Sequence, residues 1–496
     1  MKRNAFTAFT LILCLFFASA FSACGGASPT VLAINPAGPT AVLKGGTLQF
    51  TANLSDVSWS VQGGDANGTI SNTGLYTSPT QIPVASNQVT VAAQSSGGQT
   101  ATALVDLRSG NTLAFGSSLP INDAAVTNPG ATFLTLIESP TSDRIAVRTG
   151  SLQVDALWPG NNTTLNLFYA QSLDLEGFSP ERNLLPDSTN NLIATSIETD
   201  SQKNPGILFT SSNDLRVFFL GSDNQGVDFK PPVPIAPASP AGNLQQSGNA
   251  RLDDEDRIHA VFTENDSTIM DGTKNVFYVK SEDSGATWSA PKAVSTAPNG
   301  TDGAVTPSVV VDPSGDKIGV CWSQKGFPGQ IFFSFSTDGG TSFSTPKPVS
   351  SSTTAQGCRV ARGPGGEIYV SYTEASSENV FIVKSTDGGD HFGLPIPVSA
   401  DPATFLVLTL MAVDQLGRID MVWVGENPDA PGNQAILGAR SLNGGDTFSD
   451  PVPIVTSPDV LVATGLRHDD ADRLYLQYWD INATSNELNV FLVVGE

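Results

Sequence analysis

Ser336-Thr337-Asp338-Gly339-Gly340-Thr341-Ser342-Phe343 is the stretch whose reading decides the fold. A short aspartate side chain can accept hydrogen bonds from turn amides. Glycine allows the positive φ that such a turn needs, and the aromatic residue is placed to tuck into a neighbouring core. The pattern returns as Ser281-Glu282-Asp283-Ser284-Gly285-Ala286-Thr287-Trp288, as Ser385-Thr386-Asp387-Gly388-Gly389-Asp390-His391-Phe392, and as Ser441-Leu442-Asn443-Gly444-Gly445-Asp446-Thr447-Phe448. Looser copies are Ser222-Asp223 with Gly226 and Phe229, and Ser172 with Asp174, Gly177 and Phe178. The starts at 172, 222, 281, 336, 385 and 441 lie 50, 59, 55, 49 and 56 residues apart. Self-similarity at such a period marks a repeat architecture. Asp283, Asp338, Asp387 and Asn443 are therefore read as fold residues and not as catalytic carboxylates.

Each copy follows an apolar strand, as at 276–279, 331–335 and 380–383, and the clear copies precede a proline-containing strand such as Pro395-Ile396-Pro397-Val398. Proline is tolerated on a sheet edge, where amides have no strand to pair with. A hairpin precedes each copy, with turns at 253–257, 312–317, 362–367, 414–418 and 469–473 and looser ones at 140–144 and 200–206. Seven hairpins and seven such strands over residues 112–496 give about 55 residues per unit. The expectation is an all-β chain with seven four-stranded blades, six being the alternative. Residues 113–121 are expected to close the last blade and so remove a free sheet edge. The motif resembles the Asp-box (BNR) repeat of sialidases and related β-propellers, which implies a sialidase-like β-propeller over residues 108–496.

Residues 31–107 hold short segments of period-two alternation, among them Val57-Ser58-Trp59-Ser60-Val61 and Val89-Thr90-Val91-Ala92-Ala93. With Gly68-Thr69-Ile70 and Gly74-Leu75-Tyr76-Thr77 they resemble a bacterial Ig-like domain of the group-2 type, which implies a β-sandwich that spaces or adheres. Before it, Lys2 and Arg3 precede an apolar run from 8 to 21 that ends Phe21-Ser22-Ala23-Cys24. This resembles a bacterial lipoprotein signal. It implies a signal peptide over 1–23, lipid on Cys24 and a tether over 24–30, hence an exported protein held at the outer membrane or cell surface. A plain secretory signal is the other reading.

The net charge is 25 − 48 = −23, with only 15% of residues charged. This argues against nucleic acid, whose ligands need a basic face. No later stretch approaches the length of a membrane span. Cys321 and Cys358 form either one disulfide or two buried thiols. The three histidines lack zinc spacing. No metal or cofactor is expected, and the chain is expected to be a monomer.

Aligning the second strands of the hairpins places Phe262, Trp322, Tyr372, Trp423 and Tyr478 in one column. Glu264, Gln324, Glu374, Gly425 (with Glu426 next) and Asp480 form another column two residues on. The aromatics suit either core packing or stacking on sugar rings. The acids suit either a solvated rim or a polar mouth. Arg251 and Arg467 share one register, and Arg359 lies outside it. Sialidases clamp a substrate carboxylate with three arginines and use a Tyr–Glu nucleophile pair. The resemblance makes Tyr372 and Glu374 the nearest candidates for such a pair. Arg251, Arg359, Arg467, Glu264, Trp322, Trp423, Tyr478 and Asp480 are then ligand-binding candidates. The function expected is binding of an extracellular glycan or protein on the propeller face. The alternatives are an exo-glycosidase of sialidase type and a structural or adhesion factor.

Overall fold

The structure, a computed structural model, describes residues 30–80, 82, 88–108, 113–122, 126–127, 144–147, 153–160, 166–189, 191–239, 244–266, 273–295, 303–324, 329–375, 377, 379–399, 409–482, 484–485 and 487–495. The expected signal segment 1–23, the expected lipidation site Cys24 and residues 25–29 of the expected tether lie outside them. Among the described residues the chain is all-β, with one four-residue 3-10 turn at Gly64–Asn67. No helix there is long and apolar enough to cross a membrane.

From residue 144 on, a four-strand antiparallel meander repeats. The third sheet shows it: Gln245–Leu252, Ile258–Asp266, Thr273–Ser281 and Lys292–Ala293, side by side in chain order. Six sheets have this form. In the seventh, Val460–His468, Leu474–Ile481 and Glu487–Gly495 are completed by Leu119–Pro120 from the front of the chain, which pairs Leu119 with Leu492. The first strand of each sheet touches the first strand of the next, and Ile145–Val147 touches Val460–His468. The seven first strands therefore encircle one axis. One expected hairpin turn is misplaced: Ile145–Val147 pairs with Val154–Gly160, so the hairpin's first strand follows 140–144 and the turn is not there.

The sheets are glued by their side chains. Leu208 and Phe219 of the second sheet share a core with Ala250, Ala260 and Phe262 of the third. Val261 and Tyr278 of the third share one with Val309, Ile318 and Trp322 of the fourth. The repeat motif fastens the same seams. Ser336 Oγ donates to Asp338 Oδ1 at 2.8 Å and accepts from Gly340 N at 2.9 Å, while Ser342 N donates to Asp338 Oδ1 at 2.9 Å. These donors favour the ionised carboxylate, with the Ser342 hydroxyl first among them, and hold Asp338 down to about 2. The motif aromatic then meets the preceding sheet edge-on: Trp288 on Phe219, Phe343 on Tyr278, and Phe392 on Phe333, with centroids 5.6, 5.4 and 5.1 Å apart. In the copy at Ser222, Asn224 fills the aspartate position, accepting from Ser222 Oγ and Asp228 N. Asp223 does not.

The N-terminal module pairs Thr40–Leu43, Thr100–Arg108, Gln88–Ser95 and Val57–Val61 in one sheet. A second sheet holds Thr47–Gln49, Leu75–Thr77 and Thr69–Ile70. Phe50, Tyr76, Val91 and Val105 are buried between them. The module is docked on its neighbour. Ala471, from the hairpin turn of the seventh sheet, joins its core cluster. Arg108 donates to the Asp470 carbonyl and to Gln415 Oε1 (3.1 Å), and its Nη1 lies 3.5 Å from Asp472 Oδ2. The hairpin-turn end of the ring is therefore partly covered. At the opposite end lie the described connections after second strands, among them 212–215 and 427–433.

Candidate functional site

The aromatic column belongs to the cores. Each member lies opposite an apolar residue of the third strand: Phe262 with Phe277, Trp322 with Phe332, Tyr372 with Phe381, Trp423 with Leu437 and Tyr478 with Phe491. The aromatic pairs stack, Trp322 on Phe332 at 6.0 Å and Tyr478 on Phe491 at 5.2 Å. Trp322, Trp423 and Tyr478 are buried. As ligand-stacking residues they are corrected: no ring face is open to a sugar. Tyr372 is corrected as a nucleophile for the same reason. It is 0% exposed, its hydroxyl has no hydrogen-bond partner, and burial, with Glu374 adding to it, pushes its pKa well up. A tyrosine nucleophile needs the opposite shift and access to substrate. Glu374 accepts from Ser377 Oγ at 3.3 Å and is left without its proposed partner.

The acids do not gather. Glu264 accepts from Gln245 Nε2 at 3.1 Å, and Asp480 from Ser457 Oγ at 3.0 Å, each bonded within its own neighbourhood. Burial, with Asp459 adding to it, raises the pKa of Asp480. One cluster of metal-ligand type stands among the described residues: Asp387, Asp390 and His391. Its donors are already engaged. His391 Nδ1 lies 2.7 Å from Asp387 Oδ2, Asp387 Oδ1 accepts from Ser385 Oγ, and Asp390 is bound by Lys347. It is part of a fold turn.

The arginines do gather, around the axis and at two depths. Near the hairpin end, Arg251 and Arg467 hold equivalent positions, opposite His259 and Tyr475. Both reach the same oxygen, Glu198 Oε1, at 2.8 Å each, so three different first strands meet there. Glu198 was not among the expected site residues. Deeper toward the loop end lie Arg144 and Arg359. Arg359 stands opposite Ser371 and is 7% exposed. Arg144, at the head of the first strand of the first sheet, is 1% exposed. Its Nε donates to the Ala194 carbonyl at 3.2 Å, its guanidinium lies 4.4 Å from the centre of the Trp479 ring, and its Nη2 has no partner. Burial, with repulsion from Arg359 second, lowers its pKa to about 9. Two like charges brought together in a poorly solvated channel form a place for an anion. The sequence signal for Arg144 was an arginine opening an apolar triplet, and it was absorbed into the misplaced turn at 140–144.

No protein-family model matches the chain, and no curated protein matches it. Solved structures do. An ulvan lyase, a polysaccharide lyase described as bound to -[GlcA(1-4)Rha3S]-, aligns at 11% identity over 76% of this chain and 96% of its own, with a TM-score of 0.51. A second structure of an ulvan lyase aligns at 11% over 77% and 94%, with a TM-score of 0.50. A Hadza microbial sialidase aligns at 10% over 84% and 75%, with a TM-score of 0.41. At these identities the likeness to the ulvan lyases is one of fold alone, a β-propeller.

Proposed function

We propose that the seven sheets are the blades of a sialidase-like propeller that binds an extracellular glycan, an anionic group of which reaches the buried Arg144 and Arg359 by displacing what covers them. The N-terminal module is read as an Ig-like sandwich set against the hairpin face. The chain is read as an exported monomer tethered through a lipid on Cys24. The observation that carries the binding reading is Arg144: a buried guanidinium with a bare Nη2, facing a second arginine, is satisfied best by an oxyanion. A glycan is preferred to a peptide because the ulvan lyase of the same fold is described with an anionic oligosaccharide. Tyr372, enclosed in a core, gives no support to a sialidase-type hydrolysis.

Calorimetric titration with a uronic-acid oligosaccharide and with its carboxyl-reduced counterpart tests the reading. The acidic form is expected to bind at least about tenfold more tightly, since a charge-assisted bond contributes about 1.5–3 kcal/mol. Arg144→Ala is expected to remove that preference. Equal binding of both forms, or an unchanged preference in Arg144→Ala, sinks it.

A further inference from the structure

Cys321 and Cys358 lie on neighbouring sheets, the first on the second strand of the fourth sheet and the second on the first strand of the fifth. Both are buried, at 0% and 1% exposed, in one apolar cluster with Ile331, Val370 and Tyr372. Both are free thiols, and the neighbouring Cys358 adds to the burial that raises the Cys321 thiol. Cys358 Sγ also reaches the Thr306 carbonyl of the fourth sheet at 3.6 Å. Around them the seam is already held by polar bridges: Gly357 N donates to Ser323 Oγ at 2.9 Å, and Val360 N to Ser308 Oγ at 3.4 Å. The pair thus lies in one cluster at a seam whose two backbones are fixed on either side.

We infer that Cys321 and Cys358 close into a disulfide that staples the fourth sheet to the fifth. The reaction is thiol–disulfide exchange with a low-molecular-weight or protein disulfide as oxidant. One cysteine, as thiolate, attacks the oxidant to give a mixed disulfide. The other displaces the reduced oxidant from it. Two S–H bonds are exchanged for one S–S bond, and two electrons and two protons leave on the oxidant, which departs as two thiols. Burial raises the pKa of Cys321 strongly, with the neighbouring thiol adding to it. The folded pair is therefore a poor nucleophile, and the exchange belongs to folding, before the seam is sealed. The export reading supplies such an oxidant in the cell, and the inference rests on it only for that source.

Refolding the reduced chain in a glutathione redox buffer reads the geometry independently of location. Proteolysis without reductant is expected to yield one peptide linking Cys321 to Cys358, lighter by two hydrogens than the separate thiols. Adding reductant is expected to lower Tm by about 2–5 °C. The variant Cys321→Ala/Cys358→Ala is expected to fold and to show no response to reductant. Recovery of both cysteines as free thiols, or their capture by glutathione alone, overturns the staple. Cell fractionation separately tests the export reading, and a cytoplasmic location would leave the refolding result standing.

Discussion

Gly340→Ala is the sharpest test of how the repeat motif holds the ring. Gly340 has φ +83°, and a Cβ built on it would lie 2.7 Å from Tyr278 Cζ and 2.9 Å from its hydroxyl, with Cε1 closer still. Tyr278 cannot step aside cheaply. Its hydroxyl lies 2.8 Å from His259 Nδ1, His259 Nε2 lies 3.0 Å from Asp253 Oδ2, and Phe343 meets the Tyr278 ring edge-on. The left-handed backbone costs alanine about 1–2 kcal/mol, and overpacking adds about 1–3 kcal/mol. Gly339→Ala next door supplies the control: φ is +66°, but the nearest atom to its Cβ is the Gly315 carbonyl oxygen at 3.8 Å. Only the backbone cost remains there. Gly445→Ala is intermediate, with Ile419 Cδ1 at 3.2 Å. Urea unfolding followed by tryptophan fluorescence is expected to place Gly340→Ala about 1–3 kcal/mol below Gly339→Ala, with the slope unchanged. Equal losses for the two variants would refute the claim that the second glycine is required by the neighbouring sheet as well as by its own turn.

Glu198→Ala is expected to destabilise by about 1–3 kcal/mol, because it leaves Arg251 and Arg467 facing each other; Arg467→Met is expected to cost less, since Arg251 keeps its partner, and denaturant midpoints check both. Burial, with Asp414 second, raises Asp472 to about 6, so the folded state holds a proton between about pH 6 and 4 that the unfolded chain has released. That contribution grows as pH falls, and between pH 7 and pH 5 the native chain is expected to gain about 1 kcal/mol over Asp472→Asn, read from urea midpoints at the two values. Tyr372→Phe removes a buried hydroxyl without a partner and is expected to leave stability equal or raised by up to about 1 kcal/mol, with ligand binding unchanged; a lost activity would restore a chemical role for the phenol.

The fold was legible where its rules are local. The serine, aspartate and glycine of each motif bond within four residues of one another, so their spacing in sequence is their spacing in space. Asn224 escaped because an amide oxygen can replace the carboxylate oxygen while the adjacent Asp223 draws the eye. The aromatic column was found but not resolved, since period two says that Trp322 and Tyr372 share a strand face and nothing about what covers it. The cover is the next sheet, brought up by contacts that no single repeat contains. Arg251 and Arg467 were aligned correctly, yet their shared partner Glu198 lies 53 and 269 residues away in sequence, and no periodicity points to it.

Net charge says little about where the charges stand. A chain at −23 argues against an anionic ligand if its charge is spread evenly. It is not. Acids dominate the turns, where Asp283, Asp338 and Asp387 take up amides and hydroxyls in contact with water. Arg144, Arg251, Arg359 and Arg467 stand on or at the head of first strands, which the ring closure turns toward its axis. Solvent screens the former strongly and the latter weakly, so the local field in the channel is set by the few charges that line it and not by the sum over the chain. Glu198 offsets part of that field at the hairpin end, against Arg251 and Arg467. Farther from the hairpin end, the buried Arg144 guanidinium keeps an Nη2 with no partner beside the like charge of Arg359, so no acid offsets that part of the field in the way Glu198 does.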